Sequence, residues 1–227
     1  MNVRSISGVL ATALLSQALL LGVAVAAPVT YGFNCITNNS TVDCQTGEAQ
    51  LSVAVDEWGT NQVSFYFTNS GPSASSITDI YFDLGALPNY LTLPIDSILN
   101  GSGVSFSIGA SPSNLPGGNT IGFTADSGGT ADSNAPTQPN GVNPGEWLRI
   151  IFDLASEASF QDVLNELNST AADALRIGIH VQGFANGGSE SFVNDRGNGH
   201  QVPEPATLAL LGLALAGLGL ARRRLRS

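Results

Sequence analysis

The chain reads as mostly β: an antiparallel β-sandwich with one short amphipathic helix, flanked by an N-terminal signal peptide and a C-terminal transmembrane helix. Three observations predict the sandwich. Apolar and polar residues alternate in a series of short runs, the mark of strands buried on one face. Clusters of Gly, Pro, Asn and Ser separate the runs, as turns between antiparallel strands require. One stretch alone switches to a helical period.

Taken in order, Met1 to Arg4 is short and positive, Ile6 to Val25 is largely apolar, and Ala24-Val25-Ala26 offers a small-x-small site for cleavage before Ala27. This is the layout of a secretory signal peptide over residues 1–26. Polar Ser16 and Gln17 interrupt the apolar run, which argues against a retained membrane helix. The exported body then spans 27–201. Cys35 and Cys44, the only cysteines, open it. An exported chain meets an oxidising compartment, so a disulfide is expected, contributing about 2–3 kcal/mol through the unfolded state. Their spacing matches neither a zinc ligand pair nor a Cys-x-x-Cys redox motif.

The alternating runs are Leu51/Val53/Val55, Val63/Phe65/Phe67, Ile80/Phe82/Leu84, Val104/Phe106/Ile108, Leu148/Ile150/Phe152/Leu154 and Leu175/Ile177/Ile179/Val181. Turns fall at Asn69-Ser70-Gly71-Pro72, Leu115-Pro116-Gly117-Gly118-Asn119 and Asn186-Gly187-Gly188. Phe160, Val163, Leu164 and Leu167 form the helical stripe, with Ser159 and Asp162 spaced as a capping box. Such a helix covers an end or an open edge of the sandwich. The Gly/Pro/Ser/Asn-rich stretch from Gly109 to Gly145 is long for a connection, and long irregular segments are usually binding loops or disordered.

The tail begins Val202-Pro203-Glu204-Pro205-Ala206-Thr207, continues as a Leu/Ala/Gly run to Ala221, and closes with Arg222-Arg223-Arg224-Leu225-Arg226. Two prolines keep the first part extended and accessible. As a helix, residues 206–221 reach about 24 Å, short of the roughly 30 Å hydrocarbon core, so arginine snorkelling must extend the span. Arg222, Arg223, Arg224 and Arg226 hold the cytoplasmic side and leave the body on the other.

This tail, residues 202–227, resembles the PEP-CTERM sorting signal of Gram-negative bacteria in its Val202-Pro203-Glu204-Pro205 form. The resemblance implies recognition by an exosortase, a membrane transpeptidase-like protease that cuts near the motif and passes the body to the cell surface. An ordinary anchor that stays attached would use the same three parts. Segments such as Ile77-Thr78-Asp79-Ile80-Tyr81-Phe82-Asp83 and Pro139-Asn140-Gly141-Val142 resemble ectodomains that precede this signal, which transfers no activity.

Within 27–201, Arg149, Arg176 and Arg196 face seventeen carboxylates, a formal net charge of −14, and the chain has no lysine. Phosphate-rich partners such as nucleic acid and anionic lipid are repelled by the body. Neutral or cationic partners fit, and so does a purely solubilising role. No Gly-x-Ser-x-Gly elbow, His-Glu-x-x-His pair or phosphate loop occurs, and no residue is assigned as catalytic. His180 and His200 form no cluster, and His180 falls on the polar side of its strand. Asp126, Asp132, Asn134 and Glu146 are candidate oxygen ligands for calcium, although their spacing is not an EF-hand and solvated turns use the same residues. Trp58 and Trp147 are candidate sugar-stacking rings, with partial burial the competing role.

Three functions fit, the first best. One is a non-catalytic cell-surface or extracellular-matrix protein, associated with biofilm or exopolysaccharide, which crosses by the Sec machinery, is held in the inner membrane by its C-terminal helix and is sorted by an exosortase. The second is a secreted carbohydrate-binding module. The third is a hydrolase built on paired carboxylates, which an acidic β-protein supplies by chance.

Overall fold

The computed structural model describes residues 27–85, 90–196 and 200–201. In chain order the elements are β1 (Val29–Tyr31), β2 (Phe33–Cys35), α1 (Thr41–Gln50), β3 (Leu51–Trp58), β4 (Gln62–Asn69), β5 (Ser76–Asp83), β6 (Ser97–Asn100) and β7 (Phe106–Ile108). A 3-10 turn (Gly118–Ile121), β8 (Thr130–Ser133), α2 (Thr137–Asn140), β9 (Trp147–Asp153), α3 (Phe160–Asn168), β10 (Arg176–Gln182), β11 (Glu190–Asn194) and β12 (His200–Gln201) follow. The strands form two six-stranded antiparallel sheets, ordered β12-β1-β3-β4-β9-β6 and β2-β11-β10-β5-β8-β7. The expected antiparallel sandwich is therefore the fold, and the alternating runs supply its facing layers except at Ile108, which is 48 % exposed.

Between the sheets, Phe65 and Phe67 of β4 and Phe152 of β9 meet Phe82 of β5 edge-to-face. The Phe65–Phe82 and Phe82–Phe152 centroids are each 4.8 Å apart, close enough for the ring quadrupoles to add to the area buried. At one end, buried Gln50 donates to Asn69 Oδ1 (3.0 Å), Ser73 O (2.8 Å) and Ser75 Oγ (2.6 Å), and Asn69 Nδ2 reaches Val142 O (3.2 Å). This network ties the β4–β5 turn to the segment before β9 without an unpaired amide.

The helical stripe forms α3 in the connection from β9 to β10, which carries the chain from one sheet to the other. Its capping box is present, with the Ser159 and Asp162 side chains bonding each other's backbone N–H, and Phe160, Val163, Leu164 and Leu167 are buried. Two further helices lacked that sequence signal. α1 has no apolar stripe and carries Gly47 at its centre, where the glycine lies against the ring of Phe192. α2 is a single turn.

The stretch from Gly109 to Gly145 holds the 3-10 turn, β8 and α2, so it is more structured than a long binding loop. Leu115 and Phe123 fold onto Tyr81 and Val193 on the outer side of the second sheet, making a small second core. β5 is buried at all eight positions: the second core covers Tyr81, and the α2 segment covers its start, with Ser76 Oγ donating to Gln138 O (2.9 Å).

Candidate functional site

The disulfide joins Cys35 at the end of β2 to Cys44 in α1, with an S–S distance of 2.04 Å and Cα atoms 5.3 Å apart. Beside it Glu190, 1 % exposed, accepts from Ser40 N (2.6 Å), Asn39 N (3.0 Å) and Thr37 Oγ1 (2.5 Å). A carboxylate here satisfies the backbone donors of the loop that enters α1, so crosslink and ion-dipole bonds hold the same segment. Among the described residues, Cys35, Cys44 and Glu190 are the group of three His, Cys, Asp or Glu whose ligand atoms lie within 4.8 Å of one another. The sulfurs are bonded to each other and offer no thiolate, so this cluster is a latch rather than a metal centre.

Asp126, Asp132, Asn134 and Glu146 go to separate hydrogen-bond sets. Asp126 Oδ2 accepts from Leu84 N (2.7 Å), Asn134 bonds Ser105 Oγ (2.9 Å) and Ser107 Oγ (3.0 Å), and Glu146 Oε2 accepts from Asn143 N and Nδ2 (2.9 Å each). Asp132 faces Asp79 across β8 and β5. Their carboxylates do not converge as a calcium site requires. Asp126 and Glu146 fasten different loop ends, and Asp132 lies within β8 opposite Asp79.

Trp58 and Trp147 do share a face. Pairing of Ala54 with Tyr66 and of Tyr66 with Arg149 places the even positions of β3 and β4 and the odd positions of β9 together on the outside of the first sheet. There the Arg149 guanidinium carbon lies 4.5 Å from the Trp58 ring centroid and 4.7 Å from that of Tyr66. Tyr66 in turn meets Trp147 at 5.4 Å. The result is a ladder, Trp58, Arg149, Tyr66, Trp147, running diagonally over three strands. Each neighbour covers ring surface, and Gly101 lies against Trp147, where an added Cβ would come 3.1 Å from Cε2. Both tryptophans are half-buried. Polar groups border the Trp58 end: Gln62 donates to Asp153 Oδ1 (2.9 Å) and Asp96 Oδ2 (3.2 Å). Asp56 lies near Arg149, but burial outweighs that attraction and pushes its carboxyl above the usual range.

On the outer side of the second sheet, register aligns Ser107, Asp132, Asp79, His180 and Ser191 in one row across five strands. Burial pushes Asp79 up to about 6; Thr78, donating at 2.7 Å, opposes this and Asp132 adds to it. Burial likewise raises Asp132 and Tyr81 and lowers His180, the last opposed by Glu190. His180 is half-buried with Nδ1 3.2 Å from Ser191 Oγ, not a solvated surface residue. Arg176, on the same strand, is buried against Asp83. Sequence reasoning missed this row, because opposition across strands follows from register; only the Asp within the apolar run Ile77 to Phe82 hints at it.

Val202, Pro203, Glu204, Pro205, residues 206–221 and Arg222, Arg223, Arg224 and Arg226 lie outside the described residues, as does the signal peptide. Among the described residues no helix is long and apolar enough to cross a membrane. Backbone pairing of Gln201 with Val29 sets the last described strand on the edge of the first sheet, immediately before the tail. The sequence model of the PEP-CTERM protein-sorting motif matches residues 201–224, which covers the Pro-Glu-Pro segment, the apolar run and the first three arginines. No curated protein and no solved structure matches the chain.

Proposed function

We propose, from the premise that this chain carries a PEP-CTERM sorting motif and is an exported exosortase substrate, that its body is a non-catalytic component of the cell surface or extracellular matrix. The observation that carries this reading is the motif match beginning at the last described strand, so that sorting acts on a folded β-sandwich with no intervening domain. The disulfide agrees with passage through an oxidising compartment. Sec would deliver the chain to the inner membrane, where the apolar run holds it until the exosortase acts.

Replacing Pro203, Glu204 and Pro205 by alanine tests the sorting step, since it removes the extended segment while leaving the anchor and arginines. Export should persist and the body should accumulate in the membrane fraction of a host that carries the sorting enzyme. A triple-alanine protein that reaches the surface with the wild-type C-terminus would reduce the motif to a linker.

A second reading, polysaccharide binding, is favoured by the Trp58–Arg149–Tyr66–Trp147 ladder with Gln62, Asp96 and Asp153 beside it. Aromatic faces stack on sugar C–H surfaces while flanking amides and carboxylates take hydroxyls. Trp58 ends the ladder, so Trp58→Ala should abolish most binding on a glycan array, with Trp147→Ala weaker because Gly101 and Tyr66 already pack its ring. Equal binding by wild type and Trp58→Ala would exclude this face.

A further inference from the structure

The two sheets differ in what lies over them. Leu115 and Phe123 fold across the outer side of the second, whereas on the first the outward residues Ala54, Trp58, Gln62 and Tyr66 of β3 and β4 stay half-exposed. Trp58 pairs with Gln62 and Gln62 with Asp153, so ring, amide and carboxylate form one row over β3, β4 and β9. Asp96, the residue before β6, joins that row. Gln62 Nε2 serves both acids, at 2.9 Å from Asp153 Oδ1 and 3.2 Å from Asp96 Oδ2. One amide thus draws two exposed carboxylates together, and among the described residues no cation pairs with either. The guanidinium on this face is already engaged: Arg149 lies between the Trp58 and Tyr66 rings, donates to Ser64 Oγ (2.5 Å) and has Asp56 close by.

Trp58 is the end ring of the ladder, and it stands in the same row as two carboxylates with no cationic partner in the protein. We infer, building on the polysaccharide reading above, that this end of the face binds an amino-sugar polymer through its free amines. Ionised carboxylates are acceptor-only and an ammonium is donor-only with three N–H groups, so a sugar amine matches two acids that share a single amide donor. An indole ring attracts the same cation through its quadrupole. An N-acetyl group would place a neutral amide at the acids, and an acidic sugar would place a carboxylate that they repel. The net charge of −14 on the body acts in the same direction at longer range. β3 and β9 are two strand spacings apart, about 10 Å, so a short oligosaccharide meets the ring and the acids together.

Calorimetric titration of the exported chain, purified in neutral detergent, tests this with tetramers of glucosamine, N-acetylglucosamine, galacturonate and lysine. At about pH 5.5, where the sugar amines are cationic, the glucosamine tetramer should bind roughly tenfold more tightly than its N-acetylated form, the size of two exposed ion pairs, and lose that margin as salt is raised. Asp96→Asn together with Asp153→Asn should remove the margin and leave binding of the N-acetylated tetramer unchanged. Glu48→Gln together with Glu166→Gln, which takes the same charge from α1 and α3, should leave the margin intact. Trp58→Ala should weaken both sugars. Equal binding of the two sugars would overturn the amine and keep the polysaccharide reading, whereas no binding of either would remove both. Lysine tetramer binding as tightly as the glucosamine tetramer, or an equal loss in the Glu48 and Glu166 variant, would reduce the face to charge alone and overturn the sugar. Galacturonate binding as tightly as glucosamine would exclude attraction by the two acids.

Discussion

At the residue scale, Asp79 shows how a carboxyl can weaken a fold at neutral pH. It stands opposite Asp132 on an adjacent strand, beneath the loop that buries Tyr81, and its pKa is pushed up to about 6 from an ordinary 3.8. The native state thus binds its proton more tightly than the unfolded chain. Stability is favoured while the group is protonated and falls as pH rises through the folded value, by a total on the order of 2–3 kcal/mol. Asp79→Asn should leave the Tm nearly unchanged at pH 4 and raise it at pH 7.5, in melts run across that range. Identical melting of both proteins at pH 7.5 would show that the pair is relieved in another way. Trp58 and Trp147 were legible singly as candidate stacking rings. Arg149 between the rings and Asp132 against Asp79 were not, because cross-strand partners depend on register set by distant turns.

At the element scale, α1 and α3 contrast in how sequence encodes a helix. α3 announces itself through Ser159, Asp162 and a stripe of four buried apolar residues. α1 has no apolar stripe, and is held instead by the Ser40 cap, the Cys35–Cys44 bond and close packing on β11. Gly47 permits that approach: an added Cβ would sit 2.2 Å from Phe192 Cζ, and Phe192 is fully buried. Gly47→Ala gains about 1 kcal/mol of helix propensity but overpacks the core, at a cost of about 1–3 kcal/mol. The variant should have a lower urea midpoint than wild type, and an unchanged or higher midpoint would mean that Phe192 yields freely. The long polar stretch misled in the same way. Its Gly and Pro residues signalled a loop, yet Leu115 and Phe123 within it were enough to fasten it to the outer side of a sheet.

At the scale of the whole molecule, the class of fold was the most legible feature, since two layers of alternating strands have few other ways to bury Phe65, Phe67, Phe82 and Phe152 together. Strand order was not legible, because the chain passes repeatedly from sheet to sheet. That order has a mechanical consequence. β1 and β12 are neighbours, with Val29 opposite Gln201, so the body begins and ends at one corner. Whatever pulls on the tail therefore loads a two-residue strand at a sheet margin before it loads the rest of the sandwich. The opposite margin, β6, lies five strand spacings away, about 24 Å. Under the proposed sorting, the domain is a pendant hung by its corner: its near margin can open and reclose at the membrane while the Phe-lined interior and the ladder across β3, β4 and β9 stay under no load.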